Sequence, residues 1–256
     1  MKLIDPIVYV EKYDGAEITR FLGNMASTSY NYEFDIAKDN YKDLLLKCIK
    51  NGHTSVLEHK SITIKMIGDN GVYKDIERHR YASFSNERYT RFEHQDELEI
   101  IKPVHIEEGT DFYKEWENCI KKLDESFQTM KKEGATAEQL RMIAPYSVAV
   151  EMNMTCDITE WRHILSLRCS SHTHPAIRQL LIPVLVKFKQ DMPELFGDID
   201  YDMEFPKEKY AKILPLEIVW FFMLLNKTLT LIKLLIRRQK NETIWSSCLC
   251  RKLWWT

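Results

Sequence analysis

The sequence predicts an α+β fold in which a small sheet is flanked by several helices. Residues 61–68, SITIKMIG, alternate between the two faces of an extended chain, which is typical of a strand with one buried side. From about Glu107 onward, apolar residues recur at helical spacings instead. The 256 residues contain no repeat and no Gly/Ser linker, so we expect one main domain.

The first half of the chain supplies the predicted strands and three predicted helices. Asn51-Gly52 is a good stop for the second helix, because glycine readily adopts the left-handed conformation that ends helices. The strands are predicted at residues 7–13, 61–68 and 98–106, and the helices at 15–26, 40–52 and 71–80.

The second half of the chain is predicted to be helical. Thr136 is expected to cap one helix, and Pro175 to lie in the first turn of another. Pro145 has no N–H to bond the carbonyl of Arg141, so a kink or break is expected there. The helices are predicted over residues 111–134, 136–152, 157–168 and 174–192.

We predict a single α+β domain over residues 1–215 and a helical or irregular extension over residues 216–256. The extension is rich in apolar residues and contains Trp245, Trp254 and Trp255. A subunit-packing helix and an altered terminus both remain open. Its longest apolar run, residues 218–225, is too short to span a bilayer, so no membrane association is expected.

The composition excludes some classes of protein. The chain has 36 basic and 38 acidic residues and a formal net charge of −2, which argues against a protein that coats nucleic acid. None of its six cysteines forms a CxxC pair, and the N-terminus lacks the pattern of a signal peptide. We therefore expect a cytoplasmic protein with reduced thiols.

Residues 76–92 concentrate four arginines among aromatic residues. Arg78 and Arg80 share a face only if the chain is extended there, because residues two apart point in nearly opposite directions in a helix. The Ser- and Asn-rich residues that follow favour a chain that leaves a helix. A site for phosphate or an electron-rich ring and an ion-paired surface both remain open.

Two further segments carry candidate residues. Arg168 ends a helical stripe formed by Trp161, Ile164 and Leu165. A buried guanidinium would need an anion or carbonyl acceptors, whereas an exposed one would reach into solvent, and both remain open. In residues 51–59, Ser55 is expected to cap a short helical turn. No third ligand accompanies the two histidines there, so no metal site is predicted.

Three motifs, in this order, together resemble the flavin-dependent thymidylate synthases. Residues 52–59, GHTSVLEH, resemble the segment that precedes the family signature. Residues 78–91, RHRYASFSNERYTR, resemble that signature, which is roughly RHRxxSxNExSxR with one extra residue before the Asn-Glu pair. Residues 160–178 resemble the C-terminal flavin and nucleotide segment of the family.

The resemblance implies an α+β core with a small, mostly antiparallel sheet and flanking helices. It implies the reductive methylation of dUMP to dTMP, with methylenetetrahydrofolate as the one-carbon donor. FAD would be the cofactor and NADPH the reductant. The resemblance also implies a homotetramer with FAD sites built from several subunits.

The resemblance assigns roles to residues at matching positions. Arg168 corresponds to the catalytic arginine that stabilises the pyrimidine when N3 loses its proton. The positions that contact flavin are Ser55, Arg78, His79, Arg80, Glu87 and His163. The positions that bind dUMP are Asp75, Arg78, Glu87, Arg88, Tyr89, Thr90, Arg91, Arg141 and Arg168.

Four residues depart from the family pattern. Tyr89 replaces a serine, and Asp75 stands where many members have glutamine. Asp157 and Thr159 occupy positions that are often Asn and Arg. Two alternatives to an active enzyme remain open. The changes at Tyr89, Asp75 and Asp157 could leave a weakened member that only binds nucleotide or flavin. The interleaved arginines and aromatic residues of residues 76–92 could instead serve a single-stranded nucleic-acid binder.

Overall fold

The computed structural model describes residues 1–30, 40–86 and 97–218. The chain divides into two compact units, Met1–Leu214 and Pro215–Thr256. Most of the second unit, including its three tryptophans, lies outside the described residues. The predicted boundary at residue 215 and the extension beyond it therefore remain predictions.

The strands form two sheets. In the larger one the strand order is β4-β6-β3-β2-β7, and the β2–β3, β3–β6 and β4–β6 pairs are antiparallel. Strands β1 and β5 form a separate parallel pair. The strands in the described residues are β1 (Lys2–Ile4), β2 (Ile7–Val10), β3 (Ser61–Asp69), β4 (Ser83–Asn86), β5 (Glu99–Ile101), β6 (Ala149–Asp157) and β7 (Lys212–Pro215).

Helices flank the larger sheet, which confirms the predicted α+β class. Thr136 caps α5 through a reciprocal capping box with Gln139, and Pro175 opens α7, as expected. The α-helices are α1 (Gly15–Tyr30), α2 (Asn40–Lys50), α3 (Asn70–Ile76), α4 (Asp111–Lys132), α5 (Ala137–Arg141), α6 (Ile158–Arg168), α7 (Pro175–Asp191) and α8 (Pro193–Phe196). Short 3₁₀ helices cover Thr54–His59 and Lys207–Lys209.

Strand β3 has the predicted alternation, and Ile62, Ile64 and Met66 are fully buried. It pairs along its whole length with β6, from Ser61 opposite Asp157 to Asp69 opposite Ala149. This register sets the start of α6, because the N–H of Ile158 donates to the carbonyl of Lys60 at 3.0 Å. The beginning of α6 therefore lies against the 3₁₀ helix that precedes β3.

The prediction of a helix over residues 136–152 was wrong. Helix α5 ends at Arg141, four residues before Pro145, and the chain enters β6 at Ala149. The break expected at Pro145 is present, but the segment after it is extended. The tertiary reason is the open edge of β3, whose backbone groups pair with all nine residues of β6.

Two hydrophobic clusters form the core of the described residues. The larger cluster packs the five-stranded sheet against helices α1, α2, α6 and α7, and the indole of Trp161 donates to the carbonyl of Ile62 at 2.9 Å. The smaller cluster contains Leu98, Ile100, Ile120, Phe127, Leu140 and Val148. None of the described helices has the length and apolar character needed to cross a bilayer.

Candidate functional site

The arginine-rich motif begins where α3 ends. The predicted helix over residues 71–80 stops at Ile76, with Glu77 as its C-cap, so the next residues are no longer helical. Arg78 and Arg80 are exposed, whereas His79 between them is buried. Both arginines also line one pocket, so they are placed to act on one ligand.

A pocket of about 610 Å³ opens beside this motif. It is formed by three segments: the 3₁₀ helix, the residues after α3 and the first two turns of α6. Its lining is rich in charged and polar groups and consists of Glu58, Arg78, His79, Arg80, Tyr81, Asp157, Thr159, Glu160 and His163.

Arg168 turns inward from the last turn of α6. Its Nε donates to Nε2 of His79 at 3.0 Å, and its Nη2 donates to the backbone carbonyl of Asp75 at 2.9 Å. The guanidinium is partly buried. The alternative of a cation that reaches freely into solvent is therefore wrong for Arg168, because two acceptors on the α3 side fix its plane.

His79 is neutral at physiological pH. Burial, the Arg168 guanidinium and His163 together lower the pKa of His79 to about 4. Its other ring nitrogen, Nδ1, lies 3.5 Å from Oε1 of Glu160. These two neighbours assign the tautomer, with Nε2 as the acceptor from Arg168 and Nδ1–H directed at Glu160.

Three side chains here could in principle hold a metal ion. Ligand atoms of His79, Glu160 and His163 all lie within 4.8 Å of one another. However, Arg168 already occupies the lone pair on His79 Nε2, and coordination through Nδ1 would displace the proton that faces Glu160. The hydrogen-bond network and a metal ion thus compete for His79, and we assign no metal.

Two residues that depart from the family pattern have structural partners. Asp157 caps α6, with Oδ1 accepting from the backbone N–H of Glu160 at 2.8 Å. The hydroxyl of Thr159 donates to the carbonyl of Thr54 at 2.9 Å and ties α6 to the 3₁₀ helix. Both contacts fix residues that line the pocket, at the start of α6.

The expected cap by Ser55 was wrong. The 3₁₀ helix begins one residue earlier, at Thr54, so the N-cap position belongs to His53, which makes no side-chain cap hydrogen bond. Ser55 lies inside the helix and is exposed. Tertiary contacts at the start of α6 fix this turn instead, through Thr159.

The structure brings together some of the predicted site residues. Arg78, His79, Arg80 and His163 line the pocket, and Arg168 contacts His79. Arg141 is exposed at the end of α5. The predicted residues Glu87, Arg88, Tyr89, Thr90 and Arg91 lie outside the described residues.

Asp75 contributes in two ways at the end of α3. Its carboxylate Oδ1 lies 3.7 Å from Nη1 of Arg78, and its carbonyl accepts from Arg168. Asp75 also lines a second pocket of about 490 Å³, where the rings of His105 and His174 meet edge to face at 5.1 Å. The sequence interpretation did not single out this second pocket.

Glu160 is the functional candidate that sequence reasoning missed. It is only 7% exposed, which is unusual for a glutamate, and it faces His79. A signal was available, because Glu160, Ile164 and Arg168 are spaced i, i+4 and i+8 and so lie along one stripe of α6.

Comparison with known sequences places this architecture among related proteins. The family model described as thymidylate synthase complementing protein (Thy1) matches residues 14–194. A flavin-dependent thymidylate synthase of Corynebacterium efficiens is 29% identical over 167 residues, which cover 59% of this chain and 66% of the relative. One from Mycobacteroides abscessus is 26% identical over 202 residues, covering 73% and 80%. The chain thus spans about two thirds of the Corynebacterium relative.

A solved structure shares the fold. The UMP/dUMP methylase PolB from Streptomyces cacaoi, bound with 5-Br dUMP, superposes with a TM-score of 0.63. The alignment covers 77% of this chain and 96% of PolB, at 18% sequence identity. At this identity the likeness establishes the fold alone.

Proposed function

Because the chain belongs to the thymidylate synthase complementing protein family, whose matched relatives are named flavin-dependent thymidylate synthases, we propose that it converts dUMP to dTMP. In the balanced reaction, dUMP, methylenetetrahydrofolate, NADPH and a proton give dTMP, tetrahydrofolate and NADP⁺. The C5–H of uracil leaves as a proton, the folate methylene bonds to C5, and a hydride completes the methyl group.

The observation that carries the proposal is the fixed guanidinium of Arg168, which contacts His79 in the lining of the polar pocket. Two hydrogen bonds, to His79 and to the carbonyl of Asp75, order this side chain before any ligand arrives. A pre-ordered cation next to N3 and O2 of uracil stabilises the ring when N3 loses its proton. The electron-rich ring then attacks the one-carbon unit through C5. Arg168 is the proposed catalytic residue.

The pocket residues fit a flavin. The volume of about 610 Å³ suits a ring system, and the exposed Arg78 and Arg80 supply cations for its electron-rich edge or for phosphate. Bound FAD would supply the hydride chemistry, with NADPH as the source of electrons. We propose that it is held by Ser55, Arg78, His79, Arg80, Glu87 and His163.

The nucleotide would lie next to the flavin. The carboxylate of Asp75 is near Arg78, so its charge is balanced by a cation rather than left facing the dUMP phosphate. Arg141 is exposed at the end of α5, where it can reach a phosphate. We propose that dUMP is bound by Asp75, Arg78, Arg141, Arg168 and the run from Glu87 to Arg91.

Assembly and location are part of the same proposal. We propose a homotetramer, as the family resemblance implies, and a cytoplasmic protein. Each described cysteine is a free thiol, which suits a reducing compartment: Cys48, Cys119, Cys156 and Cys169.

The test combines a visible spectrum with an assay of tritium release from [5-³H]dUMP. We expect the purified protein to carry a flavin absorption band, and to release tritium and form dTMP only when methylenetetrahydrofolate and NADPH are both present. Parallel reactions with UMP measure the preference between deoxyribose and ribose. Absence of both tritium release and dTMP under these conditions would refute the proposal.

The same experiment separates the two alternatives. A protein that binds flavin and dUMP but releases no tritium is the weakened family member. A colourless protein that binds neither ligand but slows the migration of a single-stranded oligonucleotide in a gel is the nucleic-acid binder.

A further inference from the structure

Glu160 is a buried carboxylate next to the catalytic candidate. Burial raises the pKa of Glu160, and a carboxylate removed from water costs free energy unless a partner offsets it. Its side-chain partner among the described residues is Nδ1 of His79, at 3.5 Å. Its backbone N–H is already satisfied by Asp157. The carboxyl group lies near two imidazoles, with Nδ1 of His79 at 3.5 Å and a ring nitrogen of His163 within 4.8 Å.

The position of the proton on His79 decides whether Arg168 keeps one of its anchors. A guanidinium Nε–H is always a donor, so the nitrogen that faces it must be unprotonated. Free neutral imidazole prefers its proton on Nε2, which here is the nitrogen facing Arg168. The Nε–H of Arg168 disfavours a proton on that nitrogen, and the Glu160 oxygen, 3.5 Å from Nδ1, is the described group placed to favour the proton on Nδ1 instead.

We propose that Glu160 is a positioning residue that acts through His79 on Arg168. By accepting from Nδ1–H, it keeps Nε2 free to receive the Nε–H of Arg168. Without it, the proton returns to Nε2, two N–H groups face each other, and the guanidinium retains only its bond to the carbonyl of Asp75. The consequence for catalysis depends on the proposed function, whereas the tautomer of His79 does not.

The surroundings of His79 support this assignment. Arg168 and His163 both disfavour a second proton on the ring, and His163 packs edge to face at 5.7 Å between the centroids. With the ring neutral, one nitrogen must be a donor and the other an acceptor. Arg168 and Glu160 face opposite nitrogens of the ring and favour the same tautomer.

The direct test is nitrogen NMR of the full-length protein labelled with ¹⁵N-histidine. We expect His79 to show a protonated Nδ1 and a bare Nε2, with its signal identified by its loss in His79→Asn. Glu160→Ala should shift the proton to Nε2, whereas Glu160→Gln should retain the native tautomer because its amide oxygen still accepts from Nδ1–H. Glu125→Ala, an exposed glutamate on α4, is the matched control.

A kinetic measurement tests the link to Arg168. We expect Glu160→Ala to lower kcat for dTMP formation by about 100-fold, as for a small misplacement of a catalytic group, with KM for dUMP and flavin content near wild type. Glu160→Gln should restore most of kcat. If both variants lose kcat equally, the proposal is overturned.

The role of Glu160 and the proposed function can be refuted independently of each other. A wild-type tautomer in Glu160→Ala would overturn the role of Glu160 whatever the activity. If the wild-type protein makes no dTMP, the proposed function fails while the NMR comparison still decides the tautomer. Should Glu160→Ala not fold, the Glu160→Gln spectrum decides, because a proton on Nε2 there would contradict the proposal.

Discussion

Three arginines near the candidate site differ in how far they are exposed to solvent: Arg168 is partly buried, whereas Arg78 and Arg80 are exposed. Arg168 is partly buried and makes two hydrogen bonds. One is to the carbonyl of Asp75 in α3, and the other is to Nε2 of His79. Arg78 and Arg80 are exposed, and the described ion pair of Arg78 is a loose one, at 3.7 Å from Asp75.

We propose that this difference in setting corresponds to a difference in role. The side-chain entropy of Arg168 is lost during folding, so this cation can act on a developing charge without further ordering. Arg78 and Arg80 must be ordered by whatever they bind, so part of their interaction energy offsets that entropy. We therefore expect Arg168 to govern the rate of the reaction, and Arg78 and Arg80 to govern ligand affinity.

The largest expected effect is that of Arg168→Ala. We expect kcat for dTMP formation to fall by about 100- to 1000-fold, because a pre-ordered charge next to the pyrimidine is lost. Flavin content, measured from visible absorbance, should stay near wild type. Arg168→Lys keeps the charge but not the two-point anchoring, so an intermediate rate is expected. Wild-type activity in Arg168→Ala would show that Arg168 does not govern the rate.

A smaller effect is expected for Arg80→Ala and Arg78→Ala. Loss of one charged hydrogen bond weakens ligand binding by about 10-fold, so flavin or dUMP titrations should shift while kcat at saturation changes little. Arg20→Ala, at an exposed position on α1, controls for the loss of a surface cation. If kcat at saturation fell as far as in Arg168→Ala, the exposed arginines would also govern the rate, and the proposed division between rate and affinity would be wrong.

The pH dependence of stability tests the buried side of the comparison. The pKa of His79 is lowered to about 4 in the folded protein, so the unfolded chain binds a proton there first as the pH falls. The free energy of unfolding should therefore decrease between pH 6.5 and about 4. Urea denaturation at several pH values measures this, and His79→Asn should show a shallower decrease.

The interpretation of that slope depends on neighbouring groups. Arg168 stays charged throughout, while Glu160, with its raised pKa, contributes with the opposite sign. Comparing wild type with His79→Asn reduces contributions from groups far from this cluster. An identical slope in both proteins would show that His79 is not held neutral by its surroundings.

The smallest effect is expected for Tyr89→Ser, which restores the residue of the family pattern. Because Arg88 can supply a phosphate contact in either case, we expect dUMP affinity to be unchanged or modestly higher. Titration of dUMP monitored by flavin absorbance measures it. Loss of dUMP binding would show that the motif was matched wrongly in this segment.

Local patterns predicted most of the elements that frame the site. The alternation in residues 61–68 identified β3, and the i, i+3, i+4, i+7 spacing in α6 placed Trp161, Ile164 and Leu165 in the core. The cap at Thr136 was also correct. These predictions succeed because periodicity and capping depend on neighbours within a few residues.

The errors arose where long-range pairing overruled local preference. Residues 149–152 have helix-compatible side chains, yet they pair with β3 across 80 or more residues of chain. Ser55 was a reasonable cap in isolation, but a contact from Thr159 defines that turn instead. Neither partner can be identified from the segment itself.

The sequence by itself determined the family, the α+β class and which residues are able to carry charge into a pocket. Only the tertiary structure decided that Arg168, His79 and Glu160 meet, since they come from segments about 80 residues apart. The register of β3 against β6 makes them meet, by setting where α6 begins. That register is a property of two strands together, so no pattern within either one could reveal it.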